Sequence, residues 1–472
     1  MSRLDGLAER WDVLVVGAGP AGMAAATVTA RAGLSTLVVD EGPSPGGQVW
    51  RAVTTTPVMR RPVLGDDYWE GADAARAFKA AGATYLHATQ MWSLDADGIA
   101  GLSADGVARY VEARRVIIAT GALERPFPVP GWTLPGVMTV GAAQGLLKAS
   151  GLYPSGRVVI AGTGPLIWLY AAQLLRAGGQ IAAILDTTDR AARPAALRLL
   201  PGFALSRYLT KGLALMAAVR RRVRVIGGVT WLALEGGERV DEVHFWRGDT
   251  SERIPADTVL LHQGVVPQVN LAMAAGIPHR WDDRQLCFVP EVDDDGQTGL
   301  TRIAIAGDGA GIAGWEAAVG RGRFAGSAAA RALGKSTDVL VDEVALRRRL
   351  RSLERPRAFL DAFFRPADAF RRPIGKTIVC RCEEIGADEI ERAVDIGALG
   401  PAQLKSYTRC GMGPCQGRLC GLTVTELIAA RRGVSPADVG HYRLRPPVKP
   451  ITLGALAALP VDAETTRAVV RS

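Results

Sequence analysis

Five of the six cysteines lie between positions 380 and 420, spaced Cys380-x-Cys382 and then Cys410-x4-Cys415-x4-Cys420. Clustered thiols in a chain of cytoplasmic character point to a metal centre rather than to disulfides, and four thiolates satisfy either zinc or an iron–sulfur cluster. A Cys-x-Cys pair is less usual for structural zinc, whose knuckles leave two to four residues between ligands. Gly411, Gly413 and Gly417 allow backbone amides to turn toward the sulfides of a cluster. The sixth cysteine stands alone in the apolar stretch Gln285-Leu286-Cys287-Phe288-Val289, which suits a buried structural thiol.

A second chemistry is written near the start of the chain. The apolar stretch Asp12 to Val16 leads into Gly17-Ala18-Gly19-Pro20-Ala21-Gly22, a small-residue helix to about Gly33, and a strand from Ser35 to Val39 ending at Asp40. Gly17 makes the tight turn, Gly19 lets the backbone approach a pyrophosphate, and Gly22 permits close helix–strand packing. The helix N-terminus then holds the phosphates. Asp40 follows Gly17 at the spacing of an acid that meets ribose hydroxyls, with Glu41 as the less favoured partner.

This fingerprint reads only the ADP half common to FAD, NAD and ATP. Three further turns favour FAD. The glycine pair Gly46-Gly47-Gln48 resembles the segment that passes along the flavin phosphates in two-dinucleotide-domain flavoproteins. Ala119-Thr120-Gly121 matches the turn that brings the chain back from such a domain, and Gly307-Asp308 matches the motif whose aspartate meets the ribityl chain.

These motifs need elements to position them. With 472 residues, 48% of them hydrophobic, the chain is long enough for roughly three domains. Fifty-five glycines suit an α/β protein with many tight turns. The stretch Arg157 to Ala161, the turn Gly162-Thr163-Gly164-Pro165-Leu166-Ile167, a helix to about Ala177 and a strand ending at Asp186 repeat the first βαβ unit. Ile167 stands at the third glycine position, so NAD, another adenine nucleotide such as ATP, and a purely structural role all stay open for this unit. The expected organisation is a FAD domain split between 1–130 and 285–335, a second dinucleotide domain at 145–280, a linker at 336–372, a cysteine domain at 373–435 and a tail at 436–472.

Other classes are disfavoured. The net charge of +9 comes from short arginine clusters such as Arg220-Arg221-Arg222 and Arg347-Arg348-Arg349, which carry no interleaved aromatics and no nucleic-acid motif. Nucleic acid is therefore not an expected partner. The uncharged run Val158 to Leu175 is broken by its glycine turn, so no membrane insertion is expected. The opening residues carry no apolar targeting segment, and the expected location is cytoplasmic, with a peripheral place at the inner face of the membrane as the alternative. The five histidines, His87, His244, His262, His279 and His441, are scattered, and no general base or nucleophile stands out. Neither nucleotide-binding region holds a cysteine pair, so thiol–disulfide exchange beside the flavin is not expected.

The segment Cys380-Arg381-Cys382-Glu383-Glu384 with Thr408-Arg409-Cys410-Gly411-Met412-Gly413-Pro414-Cys415-Gln416-Gly417-Arg418-Leu419-Cys420 resembles the bacterioferritin-associated-ferredoxin-like [2Fe-2S] domain. The resemblance implies Cys380, Cys382, Cys415 and Cys420 as ligands, with Cys410 in place of one of the last two as the alternative. Together with both βαβ units and the tail Arg445-Pro446-Pro447-Val448-Lys449-Pro450, the chain resembles the alpha-type subunits of opine oxidase, hydrogen cyanide synthase and D-hydroxyproline or L-proline dehydrogenase. The anaerobic glycerol-3-phosphate dehydrogenase C-terminal domain shares a similar cysteine motif, so that motif alone does not choose a substrate. The family resemblance implies two Rossmann-like domains of the disulfide-reductase-like flavoprotein type and an FAD-dependent oxidoreductase within a dye-linked C–N dehydrogenase complex. It further implies a D-amino-acid-oxidase-like beta subunit as partner, scope for a small third subunit and for FMN at a subunit interface, and a quinone-type electron acceptor.

Overall fold

The computed structural model describes residues 2–204 and 206–460; the last part of the expected tail, 461–472, lies outside the described residues. Two open sheets carry the architecture expected of a two-dinucleotide-domain flavoprotein. The first has seven strands, with Arg10–Val16 between Thr36–Val39 and the long strand Val107–Ile118, all parallel. Ile303–Ile305, from nearly two hundred residues further on, adds in parallel to the far side of Val107–Ile118. Register places Val16 opposite both Val39 and Ile118, and Ile118 opposite Ile305. The turns after these strands therefore emerge along one edge, the carboxyl edge where open α/β sheets bind ligands. That register, rather than proximity in sequence, brings Gly17, Asp40, Ala119 and Gly307 together.

The second sheet has five parallel strands in the order Arg224–Gly227, Ala183–Asp186, Val158–Thr163, Thr258–Gln263 and Val137–Thr139. A three-stranded antiparallel meander, Trp231–Glu235, Glu242–Arg247 and Thr250–Pro255, packs beside it. The strands Ala122–Glu124 and Val265–Pro267 carry the chain into and out of this unit as an antiparallel pair.

One apolar core runs through both dinucleotide units, joining Val13, Trp50 and Ile117 to Ile167, Tyr170, Leu174 and Ile184. The helix Trp315–Ala332 packs on the fingerprint helix Pro20–Arg31 so closely that a Cβ on Gly322 would fall 2.2 Å from the Ala21 carbonyl oxygen. The segment expected as a linker contains the helices Glu343–Glu354, Arg357–Phe363 and Asp368–Arg371. Beyond it, the hairpin Ile378–Cys380 with Ile385–Gly386 and the helices Ala387–Asp395, Pro401–Thr408 and Gly421–Arg432 enclose their own small core around Cys380, Cys410 and Cys420. The chain then returns to the first sheet, where Val448 N–H bonds the Trp92 carbonyl and the helix Leu453–Ala457 covers Trp92 and Ala108.

Candidate redox sites

At the first nucleotide turn, Gly17 has φ +101°, and a Cβ there would lie 2.6 Å from the Ala119 carbonyl oxygen. A Cβ on Gly22 would sit 1.8 Å from the Gly17 oxygen. Gly19 differs, because its nearest neighbour would be Gly47 Cα at 3.8 Å, so its face is left uncovered for a ligand. Gly46 N–H bonds the Ala18 carbonyl at 2.8 Å, which draws Gly46, Gly47 and Gln48 over this opening. Pro20 occupies the first helical position, where its missing N–H costs nothing, and the amides of Ala21 and Gly22 are first-turn donors with no acceptor inside the helix.

Asp40 accepts from Ala18 N–H and Gly42 N–H, each at 2.6 Å, and burial outweighs these bonds to raise its pKa. It fixes the turn and keeps lone pairs for a ribose. Glu41 is instead paired with Lys449 Nζ at 2.7 Å, so the returning tail clamps the rim of this site. Thr120 Oγ1 reaches the Gln268 carbonyl, and Asp308 Oδ1 caps the N–H groups of Ala313 and Gly314 at 2.9 and 3.1 Å, leaving Oδ2 for a polyol. The cradle fits FAD: a narrow backbone cleft, free helix-start amides, and carboxylates at its two ends.

The second turn is built differently. Gly162 must be glycine, since a Cβ would fall 1.7 Å from the His262 carbonyl oxygen. Ile167, at the third position, is buried in the shared core. Asp186 Oδ1 is taken by Thr188 N–H at 3.0 Å and by the Thr188 hydroxyl, and Thr188 also bonds Thr163 Oγ1 at 2.8 Å. His262, 2% exposed, holds Glu124 Oε1 at 2.7 Å, while Glu124 Oε2 accepts Gly141 N–H. Asp186, at the position of the acid that would meet a ribose, thus has Oδ1 engaged by Thr188.

All five clustered cysteines converge on one place. The sulfurs of Cys380, Cys410 and Cys420 lie within 4.8 Å of one another, and among the described residues no other trio of His, Cys, Asp or Glu does so. Cys382 and Cys415 pair beside them, partly exposed. Hydrogen bonds from the Cys410 and Cys420 thiols, helped by the Gly411 and Glu383 amides, pull Cys380 far below an ordinary thiol, while its bond to Cys380, with burial, pushes Cys410 up to about 12. Tyr442 Oη donates to Cys410 Sγ at 3.4 Å and lies 3.8 Å from Cys420 Sγ. Gly413 leaves no room for a side chain, because a Cβ would meet Cys382 Cβ at 2.2 Å. A dense set of thiols, with the Gly411 and Glu383 amides turned toward Cys380, fits a cluster site. The structure adds Cys410 to the innermost group, beside Cys380 and Cys420. Cys287 stands apart, buried, with its thiol pushed up to about 12 by that burial, which makes it inert.

Several residues here escaped the motifs. Lys148 is buried, with Nζ donating to the carbonyls of Gln48 and Val49 and to Gln144 Oε1 at 2.8–3.0 Å, and burial pushes it down to about 7. Its signal was present: Gln144 and Lys148 lie four apart on the same face as Val140, Ala143 and Leu147. Glu426 is 1% exposed, with Arg125 Nη1 at 3.5 Å from Oε1 and Arg371 Nη1 against Oε2. Its place among Val424, Leu427 and Ile428 marks a charge on an apolar face.

Residues 11–322 match the pyridine nucleotide-disulphide oxidoreductase family, and residues 374–459 match the sarcosine oxidase A3 domain. Among opine oxidase A subunits, that of Agrobacterium tumefaciens is 47% identical, over 98% of this chain and 94% of that protein. The hydrogen cyanide synthase subunit HcnB of Pseudomonas aeruginosa is 32% identical, over 95% and 99% respectively. The crystal structure of L-proline dehydrogenase from P. horikoshii superposes with a TM-score of 0.71 at 19% identity, covering 95% of this chain and 79% of that one, which shows a shared fold. The chain therefore belongs to the family of opine oxidase A subunits and hydrogen cyanide synthase HcnB subunits, a branch of the pyridine nucleotide-disulphide oxidoreductases with an added C-terminal cysteine domain.

Proposed function

We propose that this chain is the electron-transfer subunit of a heteromeric amine or imino-acid dehydrogenase of the opine, hydroxyproline/proline or glycine class. A D-amino-acid-oxidase-like partner subunit oxidises the C–N bond, and this chain carries the electrons to a quinone-type acceptor. FAD is held by Gly17, Gly19, Pro20, Ala21, Gly22, Asp40, Gly46, Gly47, Gln48, Ala119, Thr120, Gly121, Gly307 and Asp308. A [2Fe-2S] cluster is held by Cys380, Cys382, Cys415 and Cys420, with Cys410 as the neighbouring thiol bound by Tyr442.

The observation that carries this reading is the pairing of a flavin cradle with five converging thiols in one chain. A flavin takes two electrons and a [2Fe-2S] cluster passes them on singly, so the pair converts between the two modes. The residues of this chain bind, orient and shield these groups. An open crevice of about 540 Å³, between residues 273–279 and 442–445, reaches Tyr442 and offers an acceptor an approach to the thiols.

Anaerobically purified chain should show flavin and iron–sulfur absorption bands and no amine turnover until the partner is added. Full amine oxidation by the isolated chain would defeat the division of labour. Rapid bleaching of the flavin by NADH in stopped flow would point instead to a self-contained NAD(P)H:acceptor oxidoreductase.

A further inference from the structure

The cysteine loop is fastened to the flavin half of the molecule through one short path. Asn270, 4% exposed, donates from Nδ2 to the carbonyl of Gln416 at 2.9 Å. Gln416 follows Cys415 directly and has φ +52°, a left-handed conformation that a non-glycine residue adopts only when held there. Two residues before Asn270, Gln268 N–H bonds the Gly121 carbonyl at 3.0 Å and the Gln268 carbonyl accepts from Thr120 Oγ1. The Ala119-Thr120-Gly121 turn at the flavin cradle is thus linked to the cysteine loop through Gln268, Asn270 and Gln416.

The same loop is seated a second time just after Cys420. Leu422 packs against the small apolar cluster of Val266, Cys287 and Val289, in the strands Val265–Pro267 and Cys287–Pro290. Four residues further on, Glu426 enters its buried pair of arginines. The stretch from Gln416 to Glu426 is therefore anchored by a hydrogen bond, an apolar contact and an ion-pair cluster, all to residues of the main body.

From this we propose that Asn270 is a positioning residue for internal electron transfer: it fixes the separation between the flavin edge and the cysteine centre, so electrons pass at a set distance and not by movement of the small domain. The inference rests on the functional reading above and adds the route. Loss of the amide donor leaves the Gln416 carbonyl without its partner and frees the strained residue beside Cys415 to relax.

The test uses the cofactor-loaded full chain and its Asn270→Leu variant, which keeps the branched outline of the side chain and removes the donor. One electron is delivered to the flavin by flash photoreduction, and its passage to the cluster is followed in the visible bands. Relaxation of the loop lengthens the path between the two centres, and a several-fold slower transfer is expected in the variant than in the wild type. Cofactor content and the flavin midpoint potential should stay at their wild-type values, so that the slower transfer reports the path and not a lost centre, while the thermal midpoint falls modestly because the Gln416 carbonyl loses its donor. Leu422→Ala, which loosens the same seat from its other side, should slow transfer as well and serves where Asn270→Leu fails to fold. Wild-type transfer with unchanged rates in both variants overturns the positioning role alone. Absence of flavin-to-cluster transfer in the wild type overturns the functional reading and this inference with it.

Discussion

Replacing Glu426 with Gln should release the cysteine domain from the flavoprotein body. Glu426 is 1% exposed and stands between two guanidiniums whose side chains are each about as deeply buried, Arg125 at 5% and Arg371 at 4%. Removing the one carboxylate of a buried ion pair costs about 3–5 kcal/mol, because the opposing charge is left unpaired in a dry site. The glutamine keeps one acceptor, Arg125 keeps the carbonyls of Gln285 and Leu286, and Arg371 keeps Asp368, so the lower end, about 3 kcal/mol, is the better figure. A unit of this size loses roughly 4–8 °C per kcal/mol, so the cysteine domain should melt at least about 12 °C earlier. Differential scanning calorimetry of the loaded protein should show that transition split from the main one, with limited proteolysis cutting near residues 364–376 at temperatures where the wild type is resistant. Added salt should leave the effect in place, since a buried pair is poorly screened. A loss below about 1 kcal/mol, the value of an exposed ion pair, would show that the cluster is solvated and that the domain is held by other contacts.

Lys148→Met separates charge from packing at the joint of the two dinucleotide units. Below about pH 7 the wild-type ammonium is charged in folded and unfolded chains alike, and between about 7 and its ordinary 10.5 only the unfolded chain keeps the proton. Wild-type stability should therefore climb relative to the variant by up to about 1.4 kcal/mol per pH unit across that window, and a flat difference in chemical denaturation would count against the buried charge. Gly22→Ala places a Cβ 1.8 Å from the Gly17 oxygen. An overpacking cost of about 1–3 kcal/mol predicts FAD affinity lower by roughly one to two orders of magnitude, and an unchanged titration of apoprotein with FAD would contradict the cradle. Single Cys→Ala changes at Cys410, Cys415 and Cys420, compared by EPR after reduction, test the ligand set. Loss of the signal is expected at Cys415 and Cys420 and its retention with shifted g values at Cys410, and the reverse pattern would move Cys410 into the set.

The sequence made the local motifs readable because each rests on sterics within a few residues. Gly17, Gly19 and Gly22 announce a turn and a close approach whatever else the chain does, and the strand–helix–strand order confirms their setting. The partners made across long separations were not readable in this way. Lys148 meets Gln48, and Asn270 meets Gln416, across 100 and 146 residues, and no periodicity encodes such a pairing. Glu426 and Lys148 did leave a trace as charges on apolar helix faces, but a trace without a partner does not say what it binds. Glu41 shows the other limit: its neighbour Asp40 has the expected spacing, whereas the salt bridge from Lys449 to Glu41 depends on a tail whose course the motifs do not specify. Cys410 falls between these cases, since spacing alone leaves five thiols to choose from and only the fold places it against Cys380 and Cys420.

The joint between the dinucleotide units bears on how the flavin turn is held. Lys148 bonds the carbonyls of Gln48 and Val49, Gln173 bonds that of Leu64, and Arg176 that of Pro62, so polar bonds from two helices of the second unit tie it to the first. At about 1 kcal/mol net for each of these four, swinging the units apart costs roughly 4 kcal/mol before any of the shared apolar core is exposed. At 1.4 kcal/mol per factor of ten, the open form is then held to about one molecule in a thousand or fewer. The second unit, with Ile167 sunk in the shared core, is thus held to the first by polar and apolar contacts together. It does shape the flavin site, because the Gln48 and Val49 carbonyls that Lys148 grips directly follow the Gly46-Gly47 pair that faces Gly19. The cysteine loop is tied to the flavin turn by a separate set of bonds, along Gln268, Asn270 and Gln416. The flavin turn is therefore braced from two sides, by Lys148 of the second dinucleotide unit through Gln48 and Val49 and by Gln268 through Thr120 and Gly121.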